Sequence, residues 1–227
     1  MKLVIFDLDQ TLVELTDVHD RVTRRELKKV LGIDGGMSDV DYAGRTMTDS
    51  WHELAHRKGI SDETYWAKVP ELLRSFEADL PGAIPPDPAQ YVLPGARELL
   101  EELSRTDNLV VLYTGDSPGV ARAILGAAGL DRYFVFSFFG TEVAERADMV
   151  RAALKKAEER TGRPFQGKDV VIIGDSVRDV ACGQVFGART IAVATGFYSK
   201  KDLLAAGPDH LVDSLRDCRA VLKLILS

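Results

Sequence analysis

The 227-residue chain reads as an open, doubly wound α/β fold with an all-helical domain inserted near its start. Three observations lead there. Short apolar runs recur along the chain, continuous rather than alternating, as strands covered on both faces require. Stretches with apolar residues at helical spacing lie between those runs. From about residue 13 to residue 91 the spacing is helical only.

The runs that predict strands are Leu3–Phe6, Leu109–Tyr113, Tyr133–Phe136, Val170–Ile173 and Thr190–Val193. Helices are expected where Met149, Val150, Ala153, Leu154 and Ala157 repeat, and where Leu215, Cys218, Val221, Leu222 and Ile225 do. Pro94-Gly95 opens another, with Leu99, Leu100 and Leu103 on one face. Strand alternating with helix predicts a Rossmann-like parallel sheet, built from residues 1–12 and 92–227.

Residues 13–91 are expected to form the helical insert, in three stretches. The third, Asp62 to Leu80, gathers Tyr65, Trp66, Val69, Leu72, Leu73, Phe76 and Leu80 on one broad face, while Pro70 predicts a kink or early break. Trp51, Trp66 and Phe76 are expected in the core of the insert. Pro81 to Pro88 reads as a stiff linker.

Apolar residues make up 45% of the chain, enough to bury a core. The formal charge is -6, from 29 Lys and Arg against 35 Asp and Glu, with no basic run to meet nucleic acid. Cys182 and Cys218 stand in no metal-type spacing and are expected as free thiols in a reducing cytosol. Leu3–Phe6 is too short for a signal-peptide core, and no stretch approaches a membrane span. A cytoplasmic protein is the expectation.

Three polar clusters each follow a predicted strand. The first is Asp7-Leu8-Asp9-Gln10-Thr11, and such a carboxylate pair also serves as a turn or helix cap. The second is Gly174-Asp175-Ser176-Val177-Arg178-Asp179, whose two acids share one face if a helix starts there. The third is Tyr113-Thr114-Gly115-Asp116-Ser117, where a hydroxyl and backbone N–H groups at a strand-to-helix turn suit an anion. Taken singly, the second and third clusters also fit plain helix caps. A parallel sheet brings all three to one edge, where ligands of such sheets bind. Converging carboxylates with oxygen ligands suit magnesium, and the set suits phosphoryl transfer.

These residues resemble the haloacid dehalogenase superfamily. Asp7-x-Asp9-x-Thr11 is similar to its first motif, Thr114 to its second, and Gly174-Asp175-x-x-x-Asp179 to its fourth. The resemblance covers essentially the whole chain, including a helical cap after the first motif. It implies a phosphohydrolase in which Asp7 takes up the phosphoryl group as an aspartyl-phosphate. Asp9 protonates the leaving alcohol and then activates water. Thr114, with Gly115 and Asp116, holds the phosphoryl oxygens. Magnesium binds Asp7, Asp175, Asp179 and the carbonyl of Asp9. The substrate implied is a small phosphorylated metabolite. A phosphomutase of the same family, or an inactive binding protein on this fold, is the alternative.

Two positions depart from that pattern. Gln10 stands where the family usually has Gly, which bears on loop packing near the metal. No Lys occurs in Glu142 to Asp148, where the third motif is expected. Arg146 is the expected substitute, as a planar fork in place of a point charge, with Lys155, Lys156 and Lys168 as the other candidates. In the insert, Tyr42-Ala43-Gly44-Arg45-Thr46 resembles the cap loop of the phosphoglycolate phosphatase and β-phosphoglucomutase branch. Arg45 is thereby a candidate contact for a substrate anion, or else a solvated Arg at a helix start. His19, on the first cap helix, is a candidate substrate contact or a structural residue.

Overall fold

The computed structural model describes residues 1–143 and 145–227. Six parallel strands form one sheet: β1 (Leu3–Phe6), β2 (Leu109–Thr114), β3 (Phe136–Phe139), β4 (Val170–Gly174), β5 (Arg189–Val193) and β6 (His210–Val212), in the order β3-β2-β1-β4-β5-β6. β1 is central, with Phe6 opposite both Leu112 and Ile173. The residues that leave β1, β2 and β4 therefore emerge side by side.

Both faces of the sheet are covered, which is why its strands are apolar throughout. On one face Val4, Phe6, Val110, Leu112, Val171 and Ile173 meet α4 (Ala96–Ser104), α5 (Pro118–Ala128) and α9 (Cys218–Leu226). On the other, Leu3, Ile5, Val111, Tyr113 and Ile172 meet Met149, Val150, Ala153 and Ala157 of α6 (Arg146–Thr161). The remaining helices of the sheet region are α7 (Val177–Val185) and α8 (Lys200–Ala205).

Between β1 and α4 come α1 (Thr16–Leu31), α2 (Met47–Arg57) and α3 (Asp62–Ala83). They pack on Val22, Leu27, Trp51, Leu54, Tyr65, Leu72 and Phe76. The two chain crossings into this region run together: Glu14 N–H donates to Tyr91 O at 2.7 Å and Leu93 N–H to Leu12 O at 2.9 Å. The region is also tied to the sheet. Arg178 of α7 pairs with Asp41 at 2.8 Å and donates to Ala43 O at 2.6 Å. Glu77 of α3 accepts from the Ser117 hydroxyl and, at 3.2 Å, from Gly119 N–H. Among the described residues no helix is long and apolar enough to cross a membrane.

Four expectations are corrected. The third strand starts at Phe136, not Tyr133. Asp131–Tyr133 close a tight turn in which Phe134 N–H returns to Asp131 O, so the apolar run is half turn and half strand. The short, half-buried edge strand β6 was not expected. α3 continues through Pro70 and Pro81 to Ala83, shortening the linker. Both prolines are exposed, as is Trp66 one turn before Pro70, so neither ring is forced into the packed face of the helix. Trp66 is 48% exposed and lies outside the insert's core, beside His52 and Tyr65. Cys182 and Cys218 are free thiols.

Candidate active site

Asp7 leaves β1 at the centre of the sheet, held by its N–H donating to Ile173 O at 2.9 Å. Asp175 leaves β4 beside it, and Thr114 closes β2 on the other side. Asp179 sits in the first turn of α7, one turn beyond Asp175. Ser176 caps that helix and Asp179 reciprocates, a capping box in which Asp179 Oδ2 accepts from Ser176 N–H at 3.0 Å and its hydroxyl at 2.6 Å.

Arg146, the first residue of α6, reaches into this group. Its Nη2 lies 2.5 Å from Asp7 Oδ1 and 2.6 Å from Asp179 Oδ1. Its guanidinium stacks on Tyr113, 4.2 Å from the ring centroid. The Tyr113 hydroxyl donates to the same Asp179 oxygen. Arg146 Nε is buried without a partner, a donor left for an incoming oxygen. The lysines are elsewhere. Lys155 faces Glu159 at 3.9 Å, Lys156 lies over Phe136, and Lys168 pairs with Asp209 at 2.7 Å. Ala144, within the segment expected to carry the third motif, lies outside the described residues.

One cation among so many acids leaves the site electrostatically unbalanced. Burial, then Asp179, pushes Asp7 up to about 8, with Arg146 pulling the other way. Burial, then Asp7 and Asp179, holds Asp175 well above the carboxylate range. Asp179 alone is lowered; burial opposes this, but Arg146, Ser176 and Tyr113 outweigh it. Oxygens of Asp7, Asp175 and Asp179 all lie within 4.8 Å of one another, a hard-oxygen set that fits a divalent cation. Of these, Asp179 is the poorest direct ligand. Both its oxygens already accept two hydrogen bonds, from Tyr113 and Arg146 on one and from Ser176 on the other. Asp179 thus also anchors Arg146, within the acid group that could hold the cation.

Asp9 stands at the cavity side of this group. Burial, then Asp116, pushes it up to about 8, with His19 acting against them. His19 Nε2 lies 3.7 Å from Asp9. Burial raises Asp116 to about 7. The Asp116 N–H donates to the Thr114 hydroxyl at 3.2 Å and is not free for an anion. Gly115 lies against the insert: its carbonyl accepts from Met47 N–H at 3.0 Å.

Gln10 adopts a left-handed backbone, with φ of 59°. Glycine takes that conformation without strain, which accounts for its usual presence here. Gln10 is held by Nε2 donating to Thr16 at 2.7 Å and to the Tyr42 hydroxyl at 3.0 Å. The Thr195 hydroxyl donates to its carbonyl.

Arg45 lies along the cavity and is held by neighbours in its own loop and in α2. Its guanidinium pairs with Glu53 and donates to Asp41 O at 3.2 Å and Asp49 O at 3.1 Å. These contacts give Arg45 a structural role in its loop. Gly44, at φ 71°, packs so closely that a Cβ would stand 2.3 Å from Ser176 Oγ. Tyr113 was not expected at the site. Its alternation with Leu109 and Val111 places it on the α6 face, but Arg146 as its neighbour follows only from the fold.

Residues 1–187 match the model of the haloacid dehalogenase-like hydrolases, and the chain belongs to that family. It is 27% identical to a phosphoglycolate phosphatase of Synechococcus elongatus over 99% of each chain. It is 26% identical to a probable phosphatase, IndB, of Dickeya dadantii, over 98% of this chain and 95% of that one. In fold it is similar to a structure described as a predicted phosphatase from Clostridium acetobutylicum, with a TM-score of 0.78 and 21% identity over 98% of each chain.

Proposed function

We propose that this chain is a magnesium-dependent phosphatase that hydrolyses a small-molecule phosphate monoester through an aspartyl-phosphate on Asp7. The observation that carries this reading is the convergence of Asp7, Asp9, Thr114 and Asp175 at one sheet edge, with Arg146 as the buried cation among them. The phosphatase names of two full-length relatives support it.

Asp7 attacks phosphorus as the phosphorus–oxygen bond to the leaving alcohol breaks. Arg146 favours the ionised form of Asp7 by direct contact, against the burial that disfavours it, and offers Nε to a phosphoryl oxygen. Thr114 binds a second oxygen. Asp9, pushed up to about 8, is protonated at neutral pH and donates to the departing oxygen. Once ionised, Asp9 takes a proton from the water that cleaves the phosphoenzyme. Magnesium, held by Asp7, Asp175 and the Asp9 carbonyl, would neutralise the charge shared by nucleophile and phosphoryl group. The inserted helices close the cavity and exclude bulk water.

Turnover of para-nitrophenyl phosphate is the direct test. Magnesium should support it and a chelator abolish it. Calcium should replace magnesium poorly, since its longer bonds and higher coordination misplace Asp7. Full activity in excess chelator would remove the metal from the proposal.

A further inference from the structure

Tyr113 stands in β2, one residue before Thr114, and is fully buried in the cluster that holds Met149 of α6 and Cys182 of α7. Its hydroxyl donates to Asp179 Oδ1, the oxygen that also accepts from Arg146. The ring is thus fixed by packing along its body and by a hydrogen bond at its tip. Over its face lies the Arg146 guanidinium, 4.2 Å from the ring centroid.

A guanidinium is rigid and flat, so Nη2 and Nε share one plane. Nη2 is pinned between Asp7 Oδ1 at 2.5 Å and Asp179 Oδ1 at 2.6 Å. Those two contacts leave the plane free to turn about Nη2. The aromatic face removes that freedom, because a planar cation gains most by lying flat against it. With the plane set, the direction of Nε is set too, and Nε is the buried donor without a partner. An ammonium has no plane and takes no orientation from a ring. The contact does not titrate either, since a guanidinium stays charged in proteins.

We infer that Tyr113 is a positioning residue that acts through Arg146: its ring sets the guanidinium plane, aims Nε at the phosphoryl oxygen, and makes arginine a better cation here than lysine. The inference rests on the phosphatase reading and adds a residue to that site.

Double-mutant cycles test it, reading kcat/KM for para-nitrophenyl phosphate with saturating magnesium. Tyr113→Leu removes the ring and should lower kcat/KM roughly tenfold in the wild-type background. In the Arg146→Ala background the same substitution should change it by no more than about twofold, since the residue it acts through is gone. In the Arg146→Lys background it should cost little, so that the advantage of arginine over lysine falls roughly tenfold. Tyr113→Phe keeps the ring and should keep that advantage. A Tyr113 that merely supports the fold would lower all three backgrounds alike, and that result overturns the inference while the phosphatase reading stands. A silent Tyr113→Leu does the same, as does a Tyr113→Phe that loses the advantage of arginine. No turnover by the wild-type protein with magnesium overturns both. Should Tyr113→Leu not fold, the nuclear magnetic resonance signal of the Arg146 Nε–H in the wild type decides, identified by its loss in Arg146→Lys. An upfield ring-current shift supports the inference, and a shift like that of free arginine overturns it.

Discussion

Arg146 touches two carboxylates and one aromatic face, and each contact uses a different property of the guanidinium. Nη2 alone reaches Asp7 and Asp179 together, Nε stays free, and the flat face stacks on Tyr113. Arg146→Ala should cut kcat/KM by roughly 10²-fold or more, the scale of losing a charged transition-state contact. Arg146→Lys should recover part of the loss, because charge returns without the fork. Lys155→Ala, Lys156→Ala and Lys168→Ala should stay near wild type. A silent Arg146→Ala beside one dead Lys variant would sink the assignment. Asp7→Asn should fold and lose turnover by several orders of magnitude. Retention of more than about a tenth of kcat, a loss under about 1.4 kcal/mol, would exclude Asp7 as the nucleophile.

Among the elements, the loop before α2 decides how the insert meets the sheet. It lies on Gly115 with no room to spare, since a Cβ there would stand 2.0 Å from the Arg45 carbonyl oxygen. That obstacle is backbone and cannot swing aside. Gly115→Ala should lift the loop, break the Met47–Gly115 hydrogen bond, raise KM and cost about 1–3 kcal/mol. Gly126 in α5 is the control. A Cβ there meets nothing within 4 Å, so Gly126→Ala should be neutral or stabilising by up to about 1 kcal/mol. Thermal unfolding of the pair, with KM for para-nitrophenyl phosphate, separates tight packing from a general intolerance of glycine replacement.

At the scale of the whole molecule, charge links pH to stability. Glu26 of α1 is fully buried and joins α1 to α3, accepting from Ser75, from Arg25 at 3.0 Å and from Lys29 at 3.3 Å. Burial works against its charge, yet these donors hold it at about 2, below its ordinary 4.5. A carboxyl lowered on folding stabilises fully above its unfolded value and loses that contribution as pH falls through its folded value. Wild-type stability should therefore drop between pH 4.5 and about 2. Glu26→Gln should be less stable at neutral pH and flatter across that window. Denaturant titrations at several pH values measure both. An unchanged slope would show that other carboxyls set the acid response. Magnesium should act on the same balance at the acid group, raising Tm with concentration, as binding to the folded state alone requires.

The sequence by itself determined the parallel sheet, because coverage on both faces writes continuous apolar runs into every inner strand. It determined the place of two acids and a hydroxyl too, because Asp7, Asp175 and Thr114 each end or follow such a run. It narrowed the missing lysine to four basic residues. Only the tertiary structure sets one of them, Arg146, against an acid 139 positions away. Local patterns carry periodicity and strand ends, whereas partners across the sheet depend on strand order. For the same reason Tyr113 under Arg146, and the fully bonded Asp179, were not legible beforehand. The pairing of Arg45 with Glu53 of α2 was likewise not legible, because the loop motif does not encode which acid the next helix presents. Pro70 misled because its cost depends on exposure, which spacing does not encode: the exposed proline sits within α3, which runs on to Ala83.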